Sequence, residues 1–257
     1  MDGQVHREKQ HHPVLYCNRM HSGPYRCCCG DYDSDCGATQ NVAARVCYVR
    51  VFPESSRPFV LCPFFHRMPI HHLGSVVLES ERLLLRPFVL EDAPAMFKYA
   101  SDKESTQFMR FPTHQSIQDS KDIINIWVKE SANPAFYNWA IVCKECNELI
   151  GSIGLVDVNE FHLLAEVGYI LRRDHWRKGL ATEALSTVIR FCFERLGMNR
   201  LESCHSIENP ASGRVMEKAG MVREGVKREY FPTDHGFVDC PIYAITRSDY
   251  DTLVAMK

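Results

Sequence analysis

Apolar and polar residues fall into a regular order only from about Val76 onward. Residues 82–88 read as a strand stopped at or soon after Pro87, since proline has no N–H to give to a ladder. Residues 91–100 suit a helix with Glu91 and Asp92 in its first turn. Residues 116–129 suit a second, in which Ile117, Ile124 and Trp127 recur at helical spacing as core positions. Residues 137–143 and 149–156 read as paired strands around a turn at 144–148, and 165–171 as a further strand. The helix from about 179 to 196 carries Leu180, Ala184, Val188, Phe191 and Cys192 as one apolar stripe. A strand at 201–206 follows, and a strand–helix–strand unit of this length implies a right-handed parallel crossover. Residues 209–219 form the expected last helix, and 226–231 with 238–246 a closing antiparallel hairpin.

The first 74 residues are a different kind of sequence. Seven of the twelve cysteines and seven of the twelve histidines lie there, including Cys27, Cys28 and Cys29. Zinc binds such residues, yet no C-x-x-C pair occurs and three adjacent cysteines cannot all face one ion. Short apolar runs such as 59–61 are broken by Pro58, Pro63 and Pro69. The expectation is therefore a Cys/His-rich extension over 1–74, poorly ordered or not native, with the domain proper at 75–257. The same shift in composition puts forward Met68 as the native start.

Net charge is −2 with a pI near 6.6, so nonspecific nucleic-acid binding is not expected. No run of 18 apolar residues suggests a membrane span, and the opening MDGQVHREKQHHP lacks the apolar core of a secretory signal. A soluble cytoplasmic protein is the default, with a homodimer left open. Cys143-x-x-Cys146 has the spacing of a metal knuckle. With no second pair nearby and no strand–helix context for redox chemistry, its cysteines count as incidental to the hairpin, and no metal site is expected.

The stretch EVGYILRRDHWRKGLATE, residues 166–183, carries the chemistry. It reads as an apolar strand, a basic loop with Arg172, Arg173, Arg177 and Lys178, and a glycine that opens a helix. First-turn N–H groups have no intrahelical partners, and the helix dipole adds about half a positive charge there, so the arrangement can hold phosphate. Gly179-x-Ala181 after Trp176-Arg177-Lys178 resembles the acetyl-CoA-binding motif of the GCN5-related N-acetyltransferases (GNATs), usually written Arg/Gln-x-x-Gly-x-Gly/Ala. Asn209-Pro210-Ala211-Ser212-Gly213-Arg214, continuing to Met221, stands where the RimJ/RimL-type branch, which acetylates ribosomal-protein N-termini, has its second signature. The resemblance covers about residues 78–253. It departs at Trp176, where the motif has Arg or Gln.

The resemblance implies an α/β (α+β) fold: a mixed, mostly antiparallel sheet flanked by helices, whose central two parallel strands splay to admit pantetheine. It implies acetyl-CoA as co-substrate. The diphosphate would rest on N–H groups from Arg177 through Lys178, Gly179, Leu180 and Ala181 to Thr182, beside basic side chains including Arg172. Backbone groups of Ile170 and Leu171 would pair with the pantetheine amides, and Asn209 would hydrogen-bond that arm. Ser212 is the candidate acid toward the leaving thiolate, and Glu229 or Glu166 the candidate base. Read without the resemblance, Asn209 and Ser212 are helix-cap residues, and both roles are compatible. Phe108, Phe111 and His114 are carried over as shaping acceptor choice.

An α-amine of pKa about 7.8 costs only about 1 kcal/mol to deprotonate at pH 7, against about 4.6 for a lysine. A weakly placed base therefore suits a protein N-terminus. Two alternatives are a small-amine acetyltransferase acting on a polyamine, amino acid or aminoglycoside, and a non-catalytic CoA-binding sensor. A cleft rich in Asp and Glu would favour the small amine.

Overall fold

The computed structural model describes residues 69–233 and 236–256. The expectations for residues 1–68, including the native start at Met68, lie outside the described residues. The boundary at residue 74 is corrected. Ile70 is buried in the main core, the His71 N–H donates to the Leu196 carbonyl at 3.0 Å, and the Gly74 N–H to that of Pro134 at 2.8 Å. Residues 70–74 thus belong to the domain.

Eight strands form one sheet: β1 (Leu78–Glu79), β2 (Leu83–Arg86), β3 (Tyr137–Cys143), β4 (Glu148–Asn159), β5 (Leu164–Leu171), β6 (Arg200–Cys204), β7 (Val222–Thr233) and β8 (Gly236–Thr246). Their order is β1-β2-β3-β4-β5-β6-β8-β7. Every neighbouring pair is antiparallel except β5 with β6. The sheet is covered on both faces, as strand alternation demands. Trp139 and Ile141 of β3 face a cluster built on α4 (Leu180–Glu194), while Ala140 faces one built on α1 (Ala93–Ala100) and α3 (Ile117–Glu130). On α4 the buried residues include Thr187, Ile189 and Phe193 as well as the expected stripe, so this helix packs on more than one side. It is the connection between the parallel strands.

Two expectations need correction besides the boundary. Ile117 is exposed, because it opens α3 beyond the edge of the covered face, whereas Ile124 is buried and Trp127 packs partly against it. The helix α5 (Pro210–Lys218) is not the last: α6 (Arg247–Ala255) follows β8. Its start carries a capping box, with the Asp249 N–H directed at Thr246 Oγ1 and the Thr246 N–H at Asp249 Oδ2. A short α2 (Lys103–Thr106), unforeseen in the sequence, precedes the 107–115 loop. No helix among the described residues is long and apolar enough to cross a membrane.

Candidate active site

The site begins where β5 and β6 part. Their parallel pairing covers Leu164↔Arg200, Ala165↔Leu201 and Glu166↔Glu202, and then stops. At the fork the Ser203 hydroxyl donates to the Val167 carbonyl at 2.8 Å, so a side chain takes the place of a ladder amide. On its other edge β5 stays paired with β4 up to Gly151↔Leu171. The Arg172 N–H donates to the Ile150 carbonyl, so by the two-residue alternation Ile170 also points its backbone at β4. Tyr169 and Leu171 then face the gap. The expectation for Ile170 is corrected in this respect: the second residue with backbone groups on the open edge is Tyr169.

Beyond β5 the chain makes a 3-10 turn (Arg173–His175) and a tight loop before α4. Trp176, the departure from the motif, donates its indole N–H to the Leu171 carbonyl at 2.8 Å and so closes the end of the open edge. Arg177 and Gly179 both adopt left-handed backbone, with φ of 60° and 78°. That conformation is easy for glycine and costs an arginine about 1–2 kcal/mol, so the surrounding contacts must hold the loop. Arg82 does so: its guanidinium donates to the Lys178 carbonyl at 3.0 Å and pairs with Glu183, whose carboxylate also accepts from the Arg82 N–H and the Ser80 hydroxyl, both at 2.7 Å. Burial alone would raise the Glu183 carboxyl, but these donors hold it below its ordinary value. Gly179 has no side chain to cap α4, so the first-turn amides are left for a ligand.

Across the gap stands α5. Asn209 caps it, accepting weakly from the Ser212 N–H at 3.4 Å, with Pro210 in the first turn. The Ser212 hydroxyl lies 3.0 Å from the Tyr169 hydroxyl, which also donates to the Ser212 carbonyl at 3.1 Å. Burial pushes the Tyr169 phenol well above its usual value, with the Ser212 contact opposing in part, so it keeps its proton at neutral pH. The open edge, the α4 start and α5 enclose a cavity of about 540 Å³, within the range of small-molecule sites.

Ile170, Leu171, Arg177, Gly179, Leu180, Ala181, Thr182, Asn209 and Ser212 all line this cavity, as does Phe108. Lys178 and Arg172 are not among the lining residues; the Arg172 guanidinium is engaged by Asp174 at 2.7 Å and Glu148 at 2.6 Å, so it buttresses the loop from behind. Phe111 and His114 also stand off it, tilted against each other, with His114 buried on Ser120 and its pKa lowered by that burial. Of the candidate bases, Glu166 is the last paired residue before the fork and is ion-paired with Arg110, with the Cys204 thiol at 3.8 Å. Glu229 sits on a bulge of β7 at φ 48°, exposed, its N–H donating to Asp239. Neither Glu166 nor Glu229 lines the cavity. Tyr169, Arg214 and Lys218 do, and the sequence reading gave none of them a role; the four-residue spacing of the two cations, one face of a helix, was the available signal.

The arrangement can grip an anionic, extended, amide-bearing ligand. Arg177, Arg214 and Lys218 supply positive charge, and the one acid on the wall among the described residues, Glu104, is already paired with Arg173 at 2.6 Å. The open edge offers strand-like hydrogen bonds, and a hydroxyl pair stands beside it.

Comparison with known proteins agrees with this geometry. Residues 82–222 match the acetyltransferase (GNAT) domain family. The uncharacterized N-acetyltransferase YoaA of Bacillus subtilis is 32% identical over 171 residues, covering 66% of this chain and 97% of that protein. The putative ribosomal N-acetyltransferase YdaF of the same organism is 28% identical over 103 residues, 40% of this chain and 56% of that one. The spermidine N(1)-acetyltransferase of Vibrio cholerae is 25% identical over 171 residues, covering 66% and 96%. A crystal structure of a GNAT-family acetyltransferase from Bacillus anthracis superposes with a TM-score of 0.60 at 27% identity, covering 67% of this chain and 99% of that one.

Proposed function

The chain belongs to the GNAT acetyltransferase family, and from that premise we propose that this acetyl-CoA-dependent N-acetyltransferase acts on the α-amine of a protein N-terminus, of ribosomal-protein type. Family membership and the named relatives make it an enzyme and set aside the sensor reading. The observation that carries the acceptor is the charge of the cavity wall. Among the described residues the wall carries one acid, Glu104, paired with Arg173, and so offers little anionic lining to collect a polyamine.

Acetyl-CoA supplies an activated acyl thioester. The protein's part is to bind, orient and manage protons. Arg177 and the first-turn amides of α4 would take the diphosphate, with Arg214 and Lys218 adding charge from α5. Tyr169 and Leu171 would hold the pantetheine amides as an added strand. Ser212 would donate a hydrogen bond to the departing thiolate, its oxygen lying 3.0 Å from the Tyr169 hydroxyl. Of the two carboxylates Glu166 is retained as proton acceptor, because it stands at the fork, while Glu229 lies on the outermost strand. An α-amine is largely neutral near pH 8 and needs little help in losing its proton.

The spermidine-acetylating relative favours a second reading, a small-amine acceptor. Turnover separates the two. Peptides with a free N-terminus, the same peptides blocked at the α-amine but containing lysine, and spermidine would be incubated with acetyl-CoA and analysed by mass spectrometry. Acetylation of the free α-amines alone is the expected result. Preferential acetylation of spermidine would reassign the acceptor.

A further inference from the structure

The turn between β3 and β4 and the loop after β5 bring together three side chains given no role in acyl transfer above, of which His175 also lines the cavity. Cys143 ends β3, Cys146 lies in the turn, and His175 closes the 3-10 turn before Trp176. One ligand atom of each lies within 4.8 Å of the others. Cys143 and His175 are buried and Cys146 is exposed.

The histidine is already held in an orientation that suits metal binding. The His175 Nδ1 lies 2.8 Å from the Asp174 carboxylate, which Arg172 fixes at 2.7 Å. With Nδ1–H donating to that carboxylate, Nε2 keeps a lone pair, the arrangement that orients histidines in metal centres.

We propose that Cys143, Cys146 and His175 form a binding site for a divalent cation of borderline softness, zinc foremost, with solvent as fourth ligand on the exposed side. Two thiolates and an imidazole exclude magnesium and calcium on grounds of ligand softness. Tetrahedral bonds of about 2.3 Å to sulfur and 2.0 Å to nitrogen place ligand atoms roughly 3.5–3.8 Å apart. Closing from the present spacing requires a shift of about 1 Å, which the exposed Cys146 in its turn can supply. The ion would tie the β3–β4 turn to the loop that runs through Trp176 into Gly179. The expectation that these cysteines are incidental came from the missing second pair; the fold provides a histidine 29 residues further along in its place.

The test uses the full-length chain, reduced and stripped of metal, titrated with Co²⁺ and then Zn²⁺. Seven other cysteines lie in the first 68 residues, so the readout is the difference between the wild type and Cys146→Ser or His175→Gln. Each variant is expected to bind one equivalent less. The difference spectrum should show thiolate-to-cobalt charge transfer and the strong visible bands of a tetrahedral site, both removed by Zn²⁺. Cys146 is exposed, so Cys146→Ser carries the test even if the buried His175 variant misfolds. Equal stoichiometry and superimposable spectra in wild type and Cys146→Ser would overturn the proposal. So would a Cys143–Cys146 disulfide in the purified protein combined with no site-specific uptake after reduction.

Discussion

The two edges of β5 meet opposite fates within one sheet. Toward β4 the strand is paired to its last residue, and Gly151 lets the backbones close up there. Toward β6 the pairing ends after three residues, and beyond Glu166 only a serine hydroxyl reaches across. β6 itself runs on, paired on its other edge with β8 through Cys204↔Ile242. A backbone edge left without a ladder in the middle of a sheet has unmet hydrogen-bonding groups. One edge therefore holds the fold together and the other is available for an extended ligand.

That contrast can be broken from either side. On the closed edge, a Cβ at Gly151 would lie 2.1 Å from the Ile170 carbonyl oxygen, so Gly151→Ala should cost about 3 kcal/mol or more of stability in chemical denaturation. Gly168 on β5 is the control: a Cβ there meets nothing within 4 Å, and Gly168→Ala should stay within about 0.5 kcal/mol. Equal effects at the two glycines would contradict the closed-edge account.

On the open side, Ser212→Ala should lower kcat tenfold to a hundredfold, about 1.4–2.7 kcal/mol in the barrier, while acetyl-CoA affinity by calorimetry moves little. A weakened affinity with kcat unchanged would turn Ser212 into a binding residue. Glu183→Gln should cost about 1.5 kcal/mol, toward the lower end for charge-assisted bonds because Arg82 is 47% exposed. Since the folded Glu183 carboxyl lies below its ordinary value, its contribution is complete above about pH 4.3 and is lost as pH falls through the lower folded value. Acid unfolding of Glu183→Gln should accordingly show a shallower pH dependence below pH 4.3. Smallest is Ser203→Ala, which removes the one bond across the fork and should cost about 1 kcal/mol; no change on denaturation would mean that the fork needs no such tie.

Most elements were legible because their pattern is local. The β3–β4 and β7–β8 hairpins and the α4 stripe were written in residue spacing, and Asn209-Pro210 announced the start of α5. α6 was missed although its Thr246-x-x-Asp249 box was there to read. The packing of Phe111 and His114 could not be read in advance, because a loop's direction depends on what α1 and α3 pack against, not on its own composition.

The sequence by itself determined the family, the turn at Gly179 that opens α4 and the cap at Asn209, since each is a matter of backbone conformation and neighbours a few residues apart. Only the tertiary structure decided which residues of β5 face the gap, that Tyr169 stands behind Ser212, that Arg82 clamps the loop some hundred residues away, and that His175 joins Cys143 and Cys146. Those depend on strand register and on contacts between distant segments, and register is set by the packing of the whole sheet.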